Sequence, residues 1–289
     1  MINEVRNIDA SVKSRLKNIA KDHKKTFNLI LQLFMQERLL YRLSISDYKD
    51  NFVLKGGLFL FSMTGFTGRP TRDIDFLAYQ ISNDMENAKE IFKNICKIEY
   101  YDSVVFDSNS VLVEEIRKET EYKGLRVKLV GYLGKAKEVI WVDIGFNDIV
   151  VPEVTIADYP VLLDMDSPKI KMYSFESVVA EKFEAIVSLG KLNSRMKDFY
   201  DIFILLSEKK FNRNILKNAI IETFKRRGTD ILKFEQVFNK EFIEDSNRIN
   251  QWKLFLNKIG HYNIEFEYVL DSIKKSLLPI YDNIKNEKE

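Results

Sequence analysis

The sequence predicts an α+β fold: a mixed β-sheet with packed helices, preceded by N-terminal helices and followed by a C-terminal helical region. Three observations carry this. Residues 9–47 repeat apolar side chains at helical intervals. Residues 52–152 break into short β-rich runs with helix candidates between them, the pattern of helices packed on a sheet. From Ser174 onward the periodicity is helical again. The divisions that follow are 1–50, 51–173 and 174–289.

In the first segment Val12, Leu16, Ile19, Phe27, Ile30, Leu31 and Phe34 form the apolar stripe. Lys13, Arg15, Lys17, Lys21, Lys24 and Lys25 decorate its early part as a solvated face; docking of RNA or an acidic partner is the sharper reading of the same residues. In the second segment the strand candidates are 51–54, 74–79, 104–106, 111–113, 125–130 and 139–144, with helices expected over 58–63 and 83–97. Pro152, Pro160 and Pro168 mark a loop-rich connector over 153–173. Ser174 is a predicted N-cap with Glu176 in the first turn, and Gly190 is a stop signal. Asn193 or Ser194 caps the next helix, which carries Met196, Phe199, Tyr200, Phe203 and Leu206. Helices continue to about residue 282, before a polar tail over 283–289.

Composition narrows the chemistry. With 289 residues, 45% of them hydrophobic, the chain can bury a large core. Lys and Arg number 45 against 43 Asp and Glu, so net charge alone does not point to nucleic acid. The single cysteine, Cys96, excludes a disulfide framework and a cysteine-based zinc site, and reads as an inert core thiol. Only His23 and His261 are present, which disfavours histidine-based catalysis. No uncharged apolar run is long enough to span a bilayer and no signal-peptide pattern opens the chain, so a cytoplasmic location is expected.

The informative stretch runs from Val53-Leu54-Lys55-Gly56-Gly57-Leu58 to Arg69-Pro70-Thr71-Arg72-Asp73-Ile74-Asp75, read as strand, glycine turn, helix, loop, strand. Asp73 and Asp75 are two apart on a strand and therefore share a face, while Ile74 points to the core. Two adjacent carboxylates repel unless a cation sits between them, and Mg²⁺ takes one or two carboxylates together with substrate phosphates. Mn²⁺ is the alternative cation. Gly56 and Gly57 let the backbone approach a phosphate, and a helix starting there would aim its free N–H groups at it. Lys55, Arg69 and Arg72 add positive charge, and Thr71 a hydroxyl. A third carboxylate, Asp143, lies in the β-rich run Ile140-Trp141-Val142-Asp143-Ile144, where burial demands a partner; a metal shared with Asp73 and Asp75 is the natural one. Each signal is common alone, but their order along the chain is more specific.

These residues resemble the nucleotidyltransferase toxins of the AbiEii/AbiGii type, within the DNA-polymerase-β-like nucleotidyltransferase superfamily. Gly56, Gly57, Asp73, Asp75 and Asp143 match the superfamily pattern, although the spacer from Leu58 to Arg72 is slightly longer than usual. Further matches are Glu37-Arg38-Leu39-Leu40-Tyr41-Arg42, Ala180-Glu181-Lys182-Phe183 and Arg195-Met196-Lys197-Asp198-Phe199-Tyr200-Asp201, so the likeness spans roughly residues 9–207. The resemblance makes residues 51–173 the nucleotidyltransferase core. It places Lys182 near nucleotide phosphates and makes Asp198 a functional residue; a structural salt-bridge cluster with Asp201 and Arg195 is the plainer reading of the same side chains.

The resemblance further implies Mg²⁺-dependent transfer of a nucleotide from an NTP to an RNA acceptor, with the tRNA 3′ end favoured. It also implies a toxin of a toxin–antitoxin or phage-defence system, silenced by a cognate antitoxin protein. The basic stretch 213–227, with Lys217, Lys225 and Arg226, is a candidate RNA track or a solvated face. Nucleotide or phosphate transfer to a protein hydroxyl, and a catalytically silent nucleotide-binding module, are the competing functions.

Overall fold

The fold, a computed structural model, is described for residues 8–117, 123–146, 150–208 and 211–286. The chain divides into two compact units, residues 1–147 with 155–172, and residues 148–154 with 173–289.

The first unit opens with α1 (Ile8–Asp22) and α2 (Phe27–Ser44). The single helical stretch of the sequence is thus broken, with Lys24 in a left-handed turn and the Thr26 hydroxyl capping the Leu29 N–H. There follow β1 (Phe52–Lys55), α3 (Gly56–Thr64), β2 (Asp73–Ala78), α4 (Met85–Cys96), β3 (Val104–Arg117), β4 (Lys123–Leu133), β5 (Ala136–Gly145), β6 (Thr155–Asp158) and β7 (Lys169–Met172). Among the described residues the strands form one mixed sheet in the order β3-β4-β5-β2-β1-β7-β6. β2 lies near its centre, antiparallel to β1 and parallel to β5. Period-two alternation gives the sheet two characters. Leu125, Ile144, Phe76 and Leu54 form one apolar rung across β4, β5, β2 and β1, and all four are buried. On the same side Phe52 lies between Phe76 and Phe92 of α4.

Two expectations are corrected here. The runs 104–106 and 111–113 belong to one strand, β3, with an irregularity in its pairing between Asp107 and Leu112. There Ser110 donates to the Asp107 carbonyl and accepts from the Val130 N–H, so a hydroxyl replaces a ladder bond. The polar Asp-Ser-Asn-Ser run that makes this bridge reads as a break in the sequence. The connector over 153–173 in fact contains β6 and β7, and β7 joins the sheet parallel to β1. Its Ile170 and Met172 are buried between more accessible lysines, a short alternation hidden by flanking prolines.

α2 is the most buried helix of this unit, and it carries charge inside. Arg42 forms a two-pronged pair with Asp102, at 2.6 and 2.9 Å, and also donates to the Val104 carbonyl at the start of β3. Glu37 accepts from the Leu162 N–H and pairs with Arg38, whose guanidinium reaches the Asp166 carbonyl.

The second unit is helical: α5 (Phe175–Leu189), α6 (Met196–Glu208), α7 (Arg213–Arg227), α8 (Phe234–Val237), α9 (Lys240–Ile243), α10 (Ser246–Ile259) and α11 (Phe266–Asn286). Ser174 caps α5 through the Ser177 N–H, and Gly190 ends it with a positive φ. The Asn193 side chain accepts from the Arg195 N–H just before α6. Phe183 packs with Phe224 and Phe234, and Phe199 with Phe266, to make the aromatic centre. α11 extends through residues 283–286, further than the polar composition suggests; residues 287–289 lie outside the described residues.

Burial pushes the Glu37 carboxyl up from 4.5 to about 7, against the pull of Arg38 and the Leu162 N–H. The folded state therefore holds this proton more tightly than the unfolded chain. The resulting stabilisation is complete below pH 4.5 and is lost as pH rises through about 7. Glu37→Gln, which keeps an acceptor but cannot ionise, is expected to flatten that part of the stability profile. Denaturant unfolding across this pH range checks it, and a variant profile parallel to wild type would remove Glu37 as the cause.

Candidate active site

The register of the sheet assembles the first group of predicted residues. Asp73 and Asp75 share one face of β2, opposite the buried Ile74 and Phe76. Asp75 has Asp143 of β5 as its register partner on one side and Lys55 of β1 on the other. Asp143 in turn is the partner of Arg126 on β4. A single charged rung, Lys55–Asp75–Asp143–Arg126, thus crosses four strands beside the apolar rung. Asp73 stands on the next rung of the same face, in register with Trp141.

The glycines are required by what packs on them. Lys55 is the N-cap residue of α3, so Gly56 and Gly57 form the first turn of that helix. Gly56 has a positive φ of 65°, and a β-carbon there would lie 2.6 Å from the Asp75 Cγ. A β-carbon on Gly57 would lie 2.6 Å from the Thr71 β-carbon. The glycine turn and the Asp75 and Thr71 side chains therefore occupy one close-packed place. Thr71 also donates to the Asp73 carbonyl at 3.3 Å. Arg72 is exposed, but its carbonyl is held by the side-chain amides of Gln32 and Gln36 of α2, both at 2.8 Å. These two glutamines, one turn apart, fix the approach of the chain to Asp73. Sequence reasoning missed them, although paired amides on a mostly apolar helix were a legible signal.

Asp143 is 7% exposed, and the partner that its burial demands is Arg126. Arg126 Nε and Nη2 grip the two carboxylate oxygens at 2.7 and 2.9 Å. The hydrogen bonds to Asp143 raise the Arg126 pKa above its usual value; burial opposes the rise, and the charges of Asp143, Asp73 and Glu114 favour it. Arg126 was missed because, in an alternating strand, it reads as an outward charge. Among the described residues no group of three or more His, Cys, Asp or Glu side chains is gathered as a metal cage. Asp73 and Asp75, partly accessible on one face, suit Mg²⁺, which takes one or two carboxylates and completes its shell with phosphate and water.

In the second unit, Lys182 on α5 is held by Asp198 at 2.9 Å and Asp201 at 2.6 Å, both on α6. Arg195 adds a 2.8 Å contact to the other Asp198 oxygen. Both carboxylates are buried, so the cluster joins the two helices. In the basic stretch of α7, Arg227 is committed to Glu184 and Glu181 and is removed from any RNA track, whereas Lys225 and Arg226 are exposed.

The family model described as nucleotidyl transferase AbiEii toxin, type IV toxin–antitoxin system, matches residues 38–272. The chain belongs to the AbiEii family. AbiEii proteins are nucleotidyltransferase toxins, which implies a nucleotide substrate and a cognate antitoxin. The match extends beyond residue 207, where the recognisable motifs end. No curated protein matches the sequence. The crystal structure of JHP933 from Helicobacter pylori is similar at a TM-score of 0.54 and 14% identity, over 91% of this chain and 96% of that one. A putative nucleotidyltransferase from H. pylori aligns at a TM-score of 0.47 and 15% identity, over 93% and 98%. The likeness to JHP933 is one of fold. Among the described residues, no helix of this AbiEii protein is long and apolar enough to cross a membrane.

Two predictions follow from the packing. Gly56→Ala places a β-carbon against Asp75 in a left-handed conformation, and is expected to cost at least about 1–2 kcal/mol. Thermal melting checks it, and wild-type stability would show that Asp75 can move aside freely. Lys182→Met leaves Asp198 and Asp201 buried without their ammonium partner, and is expected to lower the unfolding free energy by about 3 kcal/mol. An unchanged denaturation midpoint would rule out a structural role for the lysine.

Proposed function

We propose that this AbiEii protein transfers a nucleotide from an NTP to an RNA acceptor, with Asp73 and Asp75 holding Mg²⁺, or Mn²⁺ in its place. The observation that carries the reading is the contact of Gly56 with Asp75, which joins a helix N-terminus suited to phosphate with a pair of same-face carboxylates. The donor phosphates lie over Gly56 and Gly57, within reach of the helix N–H groups, with Lys55, Thr71 and Arg72 as further ligands. Asp143 is the third carboxylate of the site; to reach a cation or accept the proton of the attacking hydroxyl, it must loosen from Arg126. A divalent cation, when bound, stabilises charge on the attacking and leaving oxygens. The residues of the sheet position the reactants, and positioning with charge stabilisation is most of what phosphoryl-type transfer requires.

Lys182, held by Asp198 and Asp201, is proposed as a point charge for phosphate on the strength of its motif. The favoured acceptor is the tRNA 3′ end. What supports a nucleic acid over a protein hydroxyl is the half-buried Trp141, with Arg126 and Lys128 against its ring, on the same face of the sheet as Asp73 and Asp75.

The test incubates the protein with Mg²⁺, each labelled NTP in turn, and cell extract separated afterwards into RNA and protein. Label is expected on RNA, with one NTP preferred. The Asp73→Asn, Asp75→Asn double variant is expected to reduce labelling to background while melting like the wild type. Label on a protein band would replace the acceptor, and full activity in the double variant would falsify the metal assignment.

A further inference from the structure

We propose that Trp141, flanked by Lys128 and Arg126, is the platform on which the terminal nucleotide of the RNA acceptor stacks. The inference rests on the nucleotidyl-transfer reading above and names where the second substrate binds. Trp141 lies on β5 two residues before Asp143 and in register with Asp73, so it stands on the carboxylate face of the sheet. It is half-buried among charges rather than enclosed in the core. The second tryptophan, Trp252, has the ordinary structural role: it is 1% exposed, and its indole N–H donates to the Ile264 carbonyl.

The surroundings of Trp141 suit a nucleotide. Lys128 Nζ lies 5.3 Å from the ring centroid and Arg126 Cζ 5.7 Å. Both cations come from β4, on one side of β5; β2 with Asp73 flanks the other side. An aromatic face accepts any base by stacking; Lys128 is placed beside it for a phosphate of the strand, and Arg126 becomes available for one when Asp143 loosens from it. Single-stranded RNA ends are recognised in this way because their bases are free to stack.

Strand order decides which substrate sits there. The glycine turn proposed for the donor phosphates belongs to β1 and α3, on one side of β2. Trp141 and its cations belong to β5 and β4, on the other. The reacting phosphorus must lie between donor and acceptor, over Asp73 and Asp75. A donor reaching the carboxylates from the glycine side leaves the β4–β5 side to the attacking hydroxyl. A protein acceptor carries no base and would have no use for a half-buried indole beside two cations.

The experiment titrates the full-length protein into a short single-stranded RNA with a 5′ fluorescent label and a free 3′ hydroxyl and follows the RNA's anisotropy, which reads wild type and variants alike, with tryptophan fluorescence recorded beside it for the wild type. Trp252 is enclosed, so quenching reports on Trp141. Trp141→Ala is expected to bind this RNA about 10-fold more weakly or worse, and Trp141→Phe to retain most of the affinity. Affinity for Mg²⁺·NTP is expected to be the same in both variants as in the wild type. Unaltered RNA binding by Trp141→Ala overturns the proposal. So does a loss of NTP affinity with RNA affinity intact, which would assign the platform to the donor base. If RNA binding depends on Trp141 but the wild type transfers no nucleotide from any NTP, the platform stands and the proposed chemistry fails. Intact transfer with Trp141-independent RNA binding gives the opposite result.

Discussion

Asp75 and Asp143 stand side by side because the parallel pairing of β2 with β5 puts their α-carbons in register. Two carboxylates so placed repel, and the fold meets that repulsion from both flanks. Arg126 closes on Asp143 from β4, and Lys55 is the neighbour of Asp75 on β1. The carboxylate of Asp75 also needs space, and only a residue without a side chain at position 56 leaves it. The charged rung, the glycine turn and the entry to α3 are therefore consequences of one pairing. The adjacent apolar rung makes that pairing rigid, since a slip by one residue would exchange the carboxylates with Phe76 and Ile144.

The same economy is visible in α2. Its apolar residues pack in the core, but its polar ones direct the chain. Gln32 and Gln36 hold the Arg72 carbonyl and so set the start of β2. Arg42 ties the helix to Asp102 and the beginning of β3. Buried pairs of this kind contribute little net stability compared with apolar packing, but removing one partner is expensive, so they select one arrangement of helix and strand. The placement of Asp73 and Asp75 thus depends on a helix that carries none of the candidate ligands.

In the helical unit charge has a similar place. Lys182 with Asp198 and Asp201, and Arg227 with Glu184, link α5 to α6 and α7. A lysine assigned to phosphate by its motif is also a bond between two helices. A loss of activity on its removal would therefore need a stability measurement beside it. Arg227 shows the reverse case: a residue that looked like part of a basic track serves a buried carboxylate.

Local sequence determined much of this protein. Period-two alternation, the Gly-Gly turn, the cap at Ser174 and the same-face placement of Asp73 and Asp75 all follow from interactions within a few residues. These effects can be read without knowing what lies across the sheet. Tertiary structure decided the rest. It alone brought β7 beside β1, joined the two halves of β3 through Ser110, and set Arg126 on Asp143 and Trp141 beside Asp73. Each of those relations is a pairing between strands distant in sequence. The spacing of a strand records which face a side chain takes, but not which strand will lie next to it.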